Sequence, residues 1–300
     1  MPKPAEMTAL AESIADVRGR IASWSRSGTV GLVPTMGALH AGHARLMEEA
    51  RRDCRFVVVS IFVNPLQFDR QDDLERYPRT VERDLDVCQR MGVDLVFAPA
   101  AKEMYPTTPR CTVEVSRIGD HLCGRYRPGH FRGVATVVLK LLDIVRPDRA
   151  YFGEKDAQQL AVVRRLVSDF NLPVTIVGVP TVREADGLAL SSRNQQLSAD
   201  ERHLALALYQ ALCEARNQIA SGVRDVERVK RAAIATIPNA SALRLEYLEV
   251  VDPEEMQPVD WINGSVCVAG ALWVGSTRLI DNLLCARSLD RPSGEEGAHQ

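Results

Sequence analysis

Five short apolar runs, rich in Val, Ile or Phe, punctuate the first 180 residues and constrain the fold more than any other feature. They are Thr29 to Val33, Phe56 to Val63, Asp94 to Ala98, Ala150 to Phe152 and Val174 to Val179. Between them lie stretches with helical character, at Gly42 to Arg52, Thr80 to Met91, Val134 to Val145 and Ala157 to Phe170. Continuous apolar strands separated by helices predict a parallel sheet covered on both faces, with ligands bound at the carboxyl ends of its strands. The expected class is α/β, with a Rossmann-like sheet. An opening helix is expected over Thr8 to Ser27, because Leu10, Ile14, Val17, Ile21 and Trp24 recur at spacings of three and four and Gly28 can stop it.

After Pro180 the pattern changes. Ser198-Ala-Asp-Glu201 forms a capping box that opens a long helix with Leu204, Leu208, Leu212 and Ile219 on one side and Gly222 at its end. A second helix over about Arg224 to Thr236 is followed by Leu243 to Tyr247, Gly264 to Trp273 and Thr277 to Leu284, which read as antiparallel strands. The expected division is a first domain at 1–181, a smaller α+β domain at 182–287 and a polar, disordered tail at 288–300.

The chain has 300 residues, 46% of them hydrophobic, enough for two ordinary cores without staples. Its 37 Lys and Arg against 39 Asp and Glu leave a net charge of -2, which lacks the positive field of a general nucleic-acid binder and favours a small-molecule partner. Seven cysteines are scattered singly with no C-x-x-C pair, which argues against a disulfide framework and a structural zinc site. The opening Met1-Pro-Lys-Pro-Ala-Glu6 has no signal-peptide core, and no uncharged apolar run approaches membrane-spanning length. A soluble cytoplasmic protein is therefore expected.

Four clusters that carry chemistry follow these strands, so a parallel sheet should bring them to one edge. Directly after Val33, the segment Pro34-Thr-Met-Gly-Ala-Leu-His-Ala-Gly-His43 sets two histidines three apart where the next helix begins. Unpaired N–H groups and the helix dipole favour an anion there, and imidazoles add donors of tunable charge. An ordinary strand-to-helix turn fits the same residues. The strand ending at Val63 runs into Asn64-Pro-Leu-Gln-Phe68, the one ending at Phe152 into Gly153-Glu-Lys-Asp156, and the one ending at Val179 leads toward Leu190-Ser-Ser-Arg-Asn194. Lys155 is placed either as a phosphate-binding lysine or as a solvated first-turn residue. Ser191, Ser192 and Arg193 suit several phosphate oxygens at once, or simply form a surface loop. Gln67 and Gln159 suit a hydroxyl beside a carboxylate, or are surface glutamines. Asp84 is a candidate to help hold a metal ion near phosphates, or it lies on a solvated helix face. Arg125 to Arg132 places three arginines and His130 in a Gly/Pro loop, either a lid or a basic turn.

No G-x-x-x-x-G-K-S/T loop, G-x-G-x-x-G turn, G-x-S-x-G elbow or H-E-x-x-H helix occurs. What remains is phosphate chemistry by imidazole, lysine, arginine and backbone, without a covalent nucleophile.

The histidine turn resembles the H-x-G-H motif of the nucleotidyltransferase superfamily that includes class I aminoacyl-tRNA synthetases. Further segments match one branch in order through nearly the whole chain: Val33 to His40, Val59 to Pro65, Tyr77 to Thr80, Arg127 to Phe131, Phe152 to Gln159, Asp186 to Asn194 and Thr277 to Asn282. Together they resemble the pantothenate synthetase family. That resemblance implies ATP- and magnesium-dependent joining of pantoate to β-alanine through an enzyme-bound pantoyl adenylate, with release of pyrophosphate and then AMP, in a homodimer. It implies ATP contacts at Met36, Gly37, Ala38, Leu39, His40, Ala41, Gly42 and His43, and again at Gly153, Glu154, Lys155 and Asp156. Further ATP contacts are implied at Val182, Leu190, Ser191, Ser192 and Arg193. It implies pantoate contacts at Gln67 and Gln159, with Gln67 also near β-alanine, and a catalytic set of His40, His43, Lys155, Ser192 and Arg193. His43 stands where the family's proton donor is usually placed, and a phosphate-holding role suits both histidines as well; metal ligands are unassigned. Two residues depart from the family pattern: Ala41 stands where many relatives carry an acidic residue and Ala157 where an aromatic is common. H-x-G-H alone also permits a nucleotidyltransferase making a stable dinucleotide, or a nucleotide-binding regulator.

Overall fold

The computed structural model describes residues 7–24 and 28–285. In chain order the first part contains β1 (Ala9–Ala11), α1 (Ile14–Ser23), β2 (Val30–Thr35), α2 (Ala41–Asp53), β3 (Phe56–Ile61), α3 (Gln71–Arg76) and α4 (Val81–Arg90). It continues through β4 (Leu95–Phe97), α5 (Ala101–Met104), α6 (Leu122–Tyr126), α7 (His130–Val145), β5 (Arg149–Gly153), α8 (Ala157–Asp169) and β6 (Thr175–Val179). Every residue of β3 is buried, as a strand covered on both faces requires. The six strands lie in the order β1-β4-β3-β2-β5-β6, and all of their pairings are parallel.

That order fixes where a ligand can enter. From β2 the chain proceeds to β3 and β4 on one side, then returns to place β5 and β6 on the other. The strand order therefore reverses between β2 and β5, and the crevice at such a reversal is where open α/β sheets bind ligands. β2 and β5 are paired only at Gly31 with Arg149 and Leu32 with Ala150. Beyond that point the two strands part, and Pro34, which has no N–H to give to a ladder, is tolerated.

The remaining elements are α9 (Ala199–Leu204), α10 (Leu206–Ala220), α11 (Val226–Ile234), β7 (Leu243–Val251), β8 (Val266–Val274) and β9 (Thr277–Cys285). The three strands form an antiparallel sheet, β7-β8-β9. Leu208, Leu212 and Val229 of its helices pack with Val250, Val268 and Leu272 of its strands in one core. Tyr247, Val251, Ala269 and Ala271 join the core of the parallel sheet instead, with Phe131, Val134 and Phe152. The small sheet is thus apolar on both sides, and it is welded to the large one. No helix among the described residues is long and apolar enough to cross a membrane.

Two expectations for individual elements change. Ala9 to Ala11 form an edge strand paired with Leu95 to Phe97, and the opening helix begins only at Ile14. Ser13 caps it by accepting from the Asp16 N–H at 3.1 Å, so the chain before the cap is free to extend. Ser25 to Ser27, the expected end of that helix, lie outside the described residues, as does the tail at 288–300. The capping box at Ser198 forms, yet the helix it opens is divided at the buried Ala205 into α9 and α10.

Candidate active site

The loop between β2 and α2 is held open from below. Gly37 and Ala38 both have positive φ, 81° and 50°, a costly backbone shape for alanine. Asp84 of α4 supplies the compensation: its two carboxylate oxygens accept from the Ala38 N–H at 2.9 Å and the Leu39 N–H at 2.8 Å, and the Thr80 hydroxyl adds a third bond at 3.2 Å. Asp84 is 1% exposed. A side chain at Gly37 would come within 2.9 Å of its carboxylate, so glycine is required for both backbone shape and close approach. Asp84 was a candidate metal ligand in the sequence; buried under the loop with both oxygens engaged, it is a clamp on backbone.

The clamp delivers His40 to the N-cap of α2. The Gly42 N–H donates to His40 Nδ1 at 3.1 Å, and the His40 N–H donates to His43 Nδ1 at 3.2 Å, a capping box built from two imidazoles. An Nδ1 that accepts from backbone carries no proton, so each neutral ring bears its proton on Nε2. Burial, reinforced by the positive charge of Lys155, lowers the His40 pKa to about 4. Burial, then His40 and Lys155, lowers that of His43 to about 3. The ring centroids are 4.1 Å apart and both rings line the same cavity. At neutral pH the helix end therefore presents two uncharged N–H donors.

Across the crevice, β5 ends in the turn carrying Lys155 and Asp156. Among the described residues the Lys155 amine forms no ion pair, and it borders the cavity beside the histidines. Glu154 points to solvent and contributes its carbonyl, which, with that of Lys155, accepts from Asn282 Nδ2 at 2.9 Å each. Val182 and Leu190 approach each other through a backbone bond of 3.0 Å and bring Ser191, Ser192 and Arg193 to the third side. Arg193 is paired with Asp73 of α3 at 3.0 Å, half-buried on both sides.

The fourth wall presents neutral amides, with Arg127 beside them paired to Asp69 at 2.9 Å. Gln67 is buried; its amide Nε2 donates to Met36 Sδ at 3.1 Å and its Oε1 accepts from Asn64 Nδ2 at 3.1 Å. Its backbone carbonyl accepts from Arg127 at 3.2 Å and from His130 Nδ1 at 2.8 Å. A carbonyl only accepts, so His130 carries its proton on Nδ1, the opposite tautomer to the paired histidines. Burial and the neighbouring Arg127 lower its pKa to about 3. The Gly/Pro loop is thereby a brace for Gln67. Gly133 lets α7 lie against this segment, since a Cβ there would fall 2.3 Å from the Leu66 carbonyl. Gln159 faces the cavity with no hydrogen-bond partner among the described residues. Its neighbour Gln158 is buried and structural, donating to the Ile118 and His121 carbonyls and accepting from the Cys123 N–H.

These walls enclose a cavity of about 790 Å³. Of the residues singled out in the sequence, Met36, His40, Gly42, His43, Gln67, Gly153, Lys155, Asp156, Gln159, Val182, Leu190, Ser191, Ser192 and Arg193 line it. Gly37, Ala38, Leu39, Ala41 and Glu154 do not; they shape the turns beneath. A sequence model of the pantoate–β-alanine ligase family matches residues 9–284. The chain belongs to that family. Among its relatives, the pantothenate synthetase of Heliobacterium modesticaldum is 52% identical over 276 residues, covering 92% of this chain and 98% of its own. A bifunctional pantoate ligase/cytidylate kinase of Thermosynechococcus vestitus is 54% identical over 288 residues, 93% of this chain; the chain spans only 56% of that longer protein.

Solved members of the pantoate–β-alanine ligase family share the fold. The Thermus thermophilus structure superposes with a TM-score of 0.87 at 48% identity, covering 92% of this chain and 99% of that one. The Francisella tularensis ligase, described as complexed with beta-gamma ATP and beta-alanine, gives 0.76 at 34% identity over 92% and 97%. Sequence reasoning missed four supports of this site as supports: the Asp84 clamp, the Arg127–His130 brace, Gln158 and Asn282. Only the brace had a local signal, its clustered arginines.

Proposed function

We propose that this ligase joins pantoate to β-alanine in the cavity between β2 and β5, using ATP through a pantoyl adenylate. The observation that carries the reading is the polarity of the cavity: Nε2–H donors, Lys155 and Arg193 on one side, neutral amides of Gln67 and Gln159 on the other. A triphosphate needs the first, and an uncharged hydroxyl beside a carboxylate suits the second. A phosphorylated second substrate, as a dinucleotide-forming enzyme would use, calls for cations at both.

In the first step a pantoate carboxylate oxygen attacks the α-phosphorus, and the bond to the β-phosphate bridging oxygen breaks, releasing pyrophosphate. His40, His43, Lys155, Ser192 and Arg193 hold the phosphate oxygens as charge shifts to the leaving group. Held neutral by burial in the ligand-free site, the histidines offer hydrogen bonds to these oxygens through Nε2–H. In the second step the β-alanine amine attacks the acyl carbon, the bond to AMP breaks and the amine gives up a proton. Gln67, braced at its carbonyl and its amide, keeps the acyl group oriented while the deep crevice limits water.

Magnesium, where ATP brings it, would neutralise phosphate charge. Among the described residues no three His, Cys, Asp or Glu side chains converge on a metal site, which fits an ion that keeps its waters and is held mainly by phosphates. Asp156, on the cavity wall near His40, is a carboxylate that would help hold it. We read the chain as a cytoplasmic homodimer with lobes at 1–181 and 182–287. The deciding test is pyrophosphate exchange into ATP. Exchange that requires pantoate, and pantothenate plus AMP once β-alanine is added, is expected; exchange indifferent to pantoate overturns the reading.

A further inference from the structure

Asn282 lies in the second half of β9, opposite Ala269 in the antiparallel sheet, at the border of the cavity and far in sequence from the histidine turn, the Lys155 turn and Ser191–Arg193. Its side-chain amide nonetheless leaves its own sheet and donates to the carbonyls of Glu154 and Lys155, both at 2.9 Å. Two hydrogen bonds from one amide group, on successive peptides, fix the orientation of the turn from which the Lys155 side chain departs. Asn282 is in turn held. Its N–H donates to Asp281 Oδ1 at 2.8 Å, and its carbonyl accepts from Arg183 at 3.2 Å.

Asp281 is buried and pairs with Arg183 through two bonds, at 2.6 and 2.8 Å. The same guanidinium donates to the Gly187 carbonyl at 3.0 Å and lies over the Tyr209 ring at 4.4 Å. Arg183 directly follows Val182, whose carbonyl accepts from the Leu190 N–H. One strand end thus grips both segments that carry charge toward the cavity, the Lys155 turn and the approach to Ser191–Arg193. A planar bidentate pair suits such a part because it fixes angle as well as distance.

We propose that Asn282, oriented by the Asp281–Arg183 pair, is a positioning residue that sets the Lys155 amine against the phosphates of ATP. The inference rests on the reading of Lys155 as a phosphate ligand. Without Asn282 the turn keeps its fold but loses its orientation, so the amine samples positions off the phosphate. The effect falls on ATP, because the Gln67 wall is braced separately by Arg127, His130 and Asn64.

The test is a two-residue cycle in pantoate-dependent pyrophosphate exchange, with melting recorded for each variant. Lys155→Ala is expected to raise the KM for ATP strongly. Asn282→Ala should raise it roughly tenfold, equal to about 1.4 kcal/mol, with the KM for pantoate changed less than about twofold. In the double variant, Asn282→Ala should add less than about twofold to the effect of Lys155→Ala, because the amine it positions is gone. Independent, multiplying effects would overturn the proposal, as would an unchanged KM for ATP in Asn282→Ala. If Lys155→Ala itself leaves the KM for ATP unchanged, the phosphate reading of Lys155 fails instead. Should Asn282→Ala not fold, Asn282→Ser, which keeps one donor, reads the same cycle with a smaller effect.

Discussion

Lowering the pH from 7 to 5 should cost the folded chain about 4 kcal/mol through two histidines alone. His43 and His130 are both lowered to about 3 by burial, whereas in the unfolded chain they return to about 6.5. Between those values the unfolded state binds more protons than the folded one, so stability rises with pH through this window and is complete above about 6.5. At pH 5 keeping one such ring neutral costs roughly 2 kcal/mol, and at pH 7 almost nothing, which gives the total for two. His40 acts in the same direction, weakened by its partial exposure. Asp69, lowered by its hydrogen bond to Arg127 against the opposing effect of burial, loses its contribution only below the ordinary carboxylate range, outside this window. Urea unfolding at pH 7, 6 and 5 measures the slope, and His130→Gln should reduce it by about one proton. Stability flat to within about 1 kcal/mol from pH 7 to 5 would refute the assignment of these rings as neutral. The capping geometry links this to turnover: the exchange reaction should show no loss near pH 6 to 7 from charging of His40 or His43.

Two further outcomes follow from the supports of the site. Asp84→Asn leaves one of two buried backbone N–H groups facing an amide donor, so a loss of about 2 kcal/mol in stability and a raised KM for ATP are expected, measured by melting and by exchange kinetics. Gly133→Ala forces α7 away from the Leu66 carbonyl, at a cost of about 1–3 kcal/mol, and should raise the KM for pantoate more than that for ATP; unchanged melting would show that the contact is not tight.

The parallel sheet was legible because its strands are apolar on both faces, a pattern few other folds need. The placement of the crevice was legible in outline, since clusters that each follow a parallel strand must meet at one edge. Two features were hidden for a physical reason. Thr8 to Ala11 has the spacing of a helix, and only the neighbouring Leu95 to Phe97, more than eighty residues on, supplies the backbone partners that make Ala9 to Ala11 a strand. The division between α9 and α10 also could not be read, because Ala205, fully buried where the two meet, is a good helix former.

The site divides along the same line. Groups that face the cavity announce themselves by chemistry: two imidazoles at a helix start, a lysine after a glycine, an arginine after two serines. Groups that hold those groups do not, because an aspartate on a helix or an asparagine in a strand looks ordinary until the fold brings it to a backbone partner. Gln158 and Gln159 make the point at closest range. They are the same residue type on consecutive positions of α8, both bordering the cavity, and the helical turn of about 100° per residue lets one pin the loop at 118–123 while the other has no hydrogen-bond partner among the described residues. Asp84 acts across 46 residues and Asn282 across 127, so neither role has a local pattern. Charge toward the ligand is encoded locally, and its precision is encoded at long range; substitutions at the distant supports should therefore move binding constants while leaving the reacting groups intact.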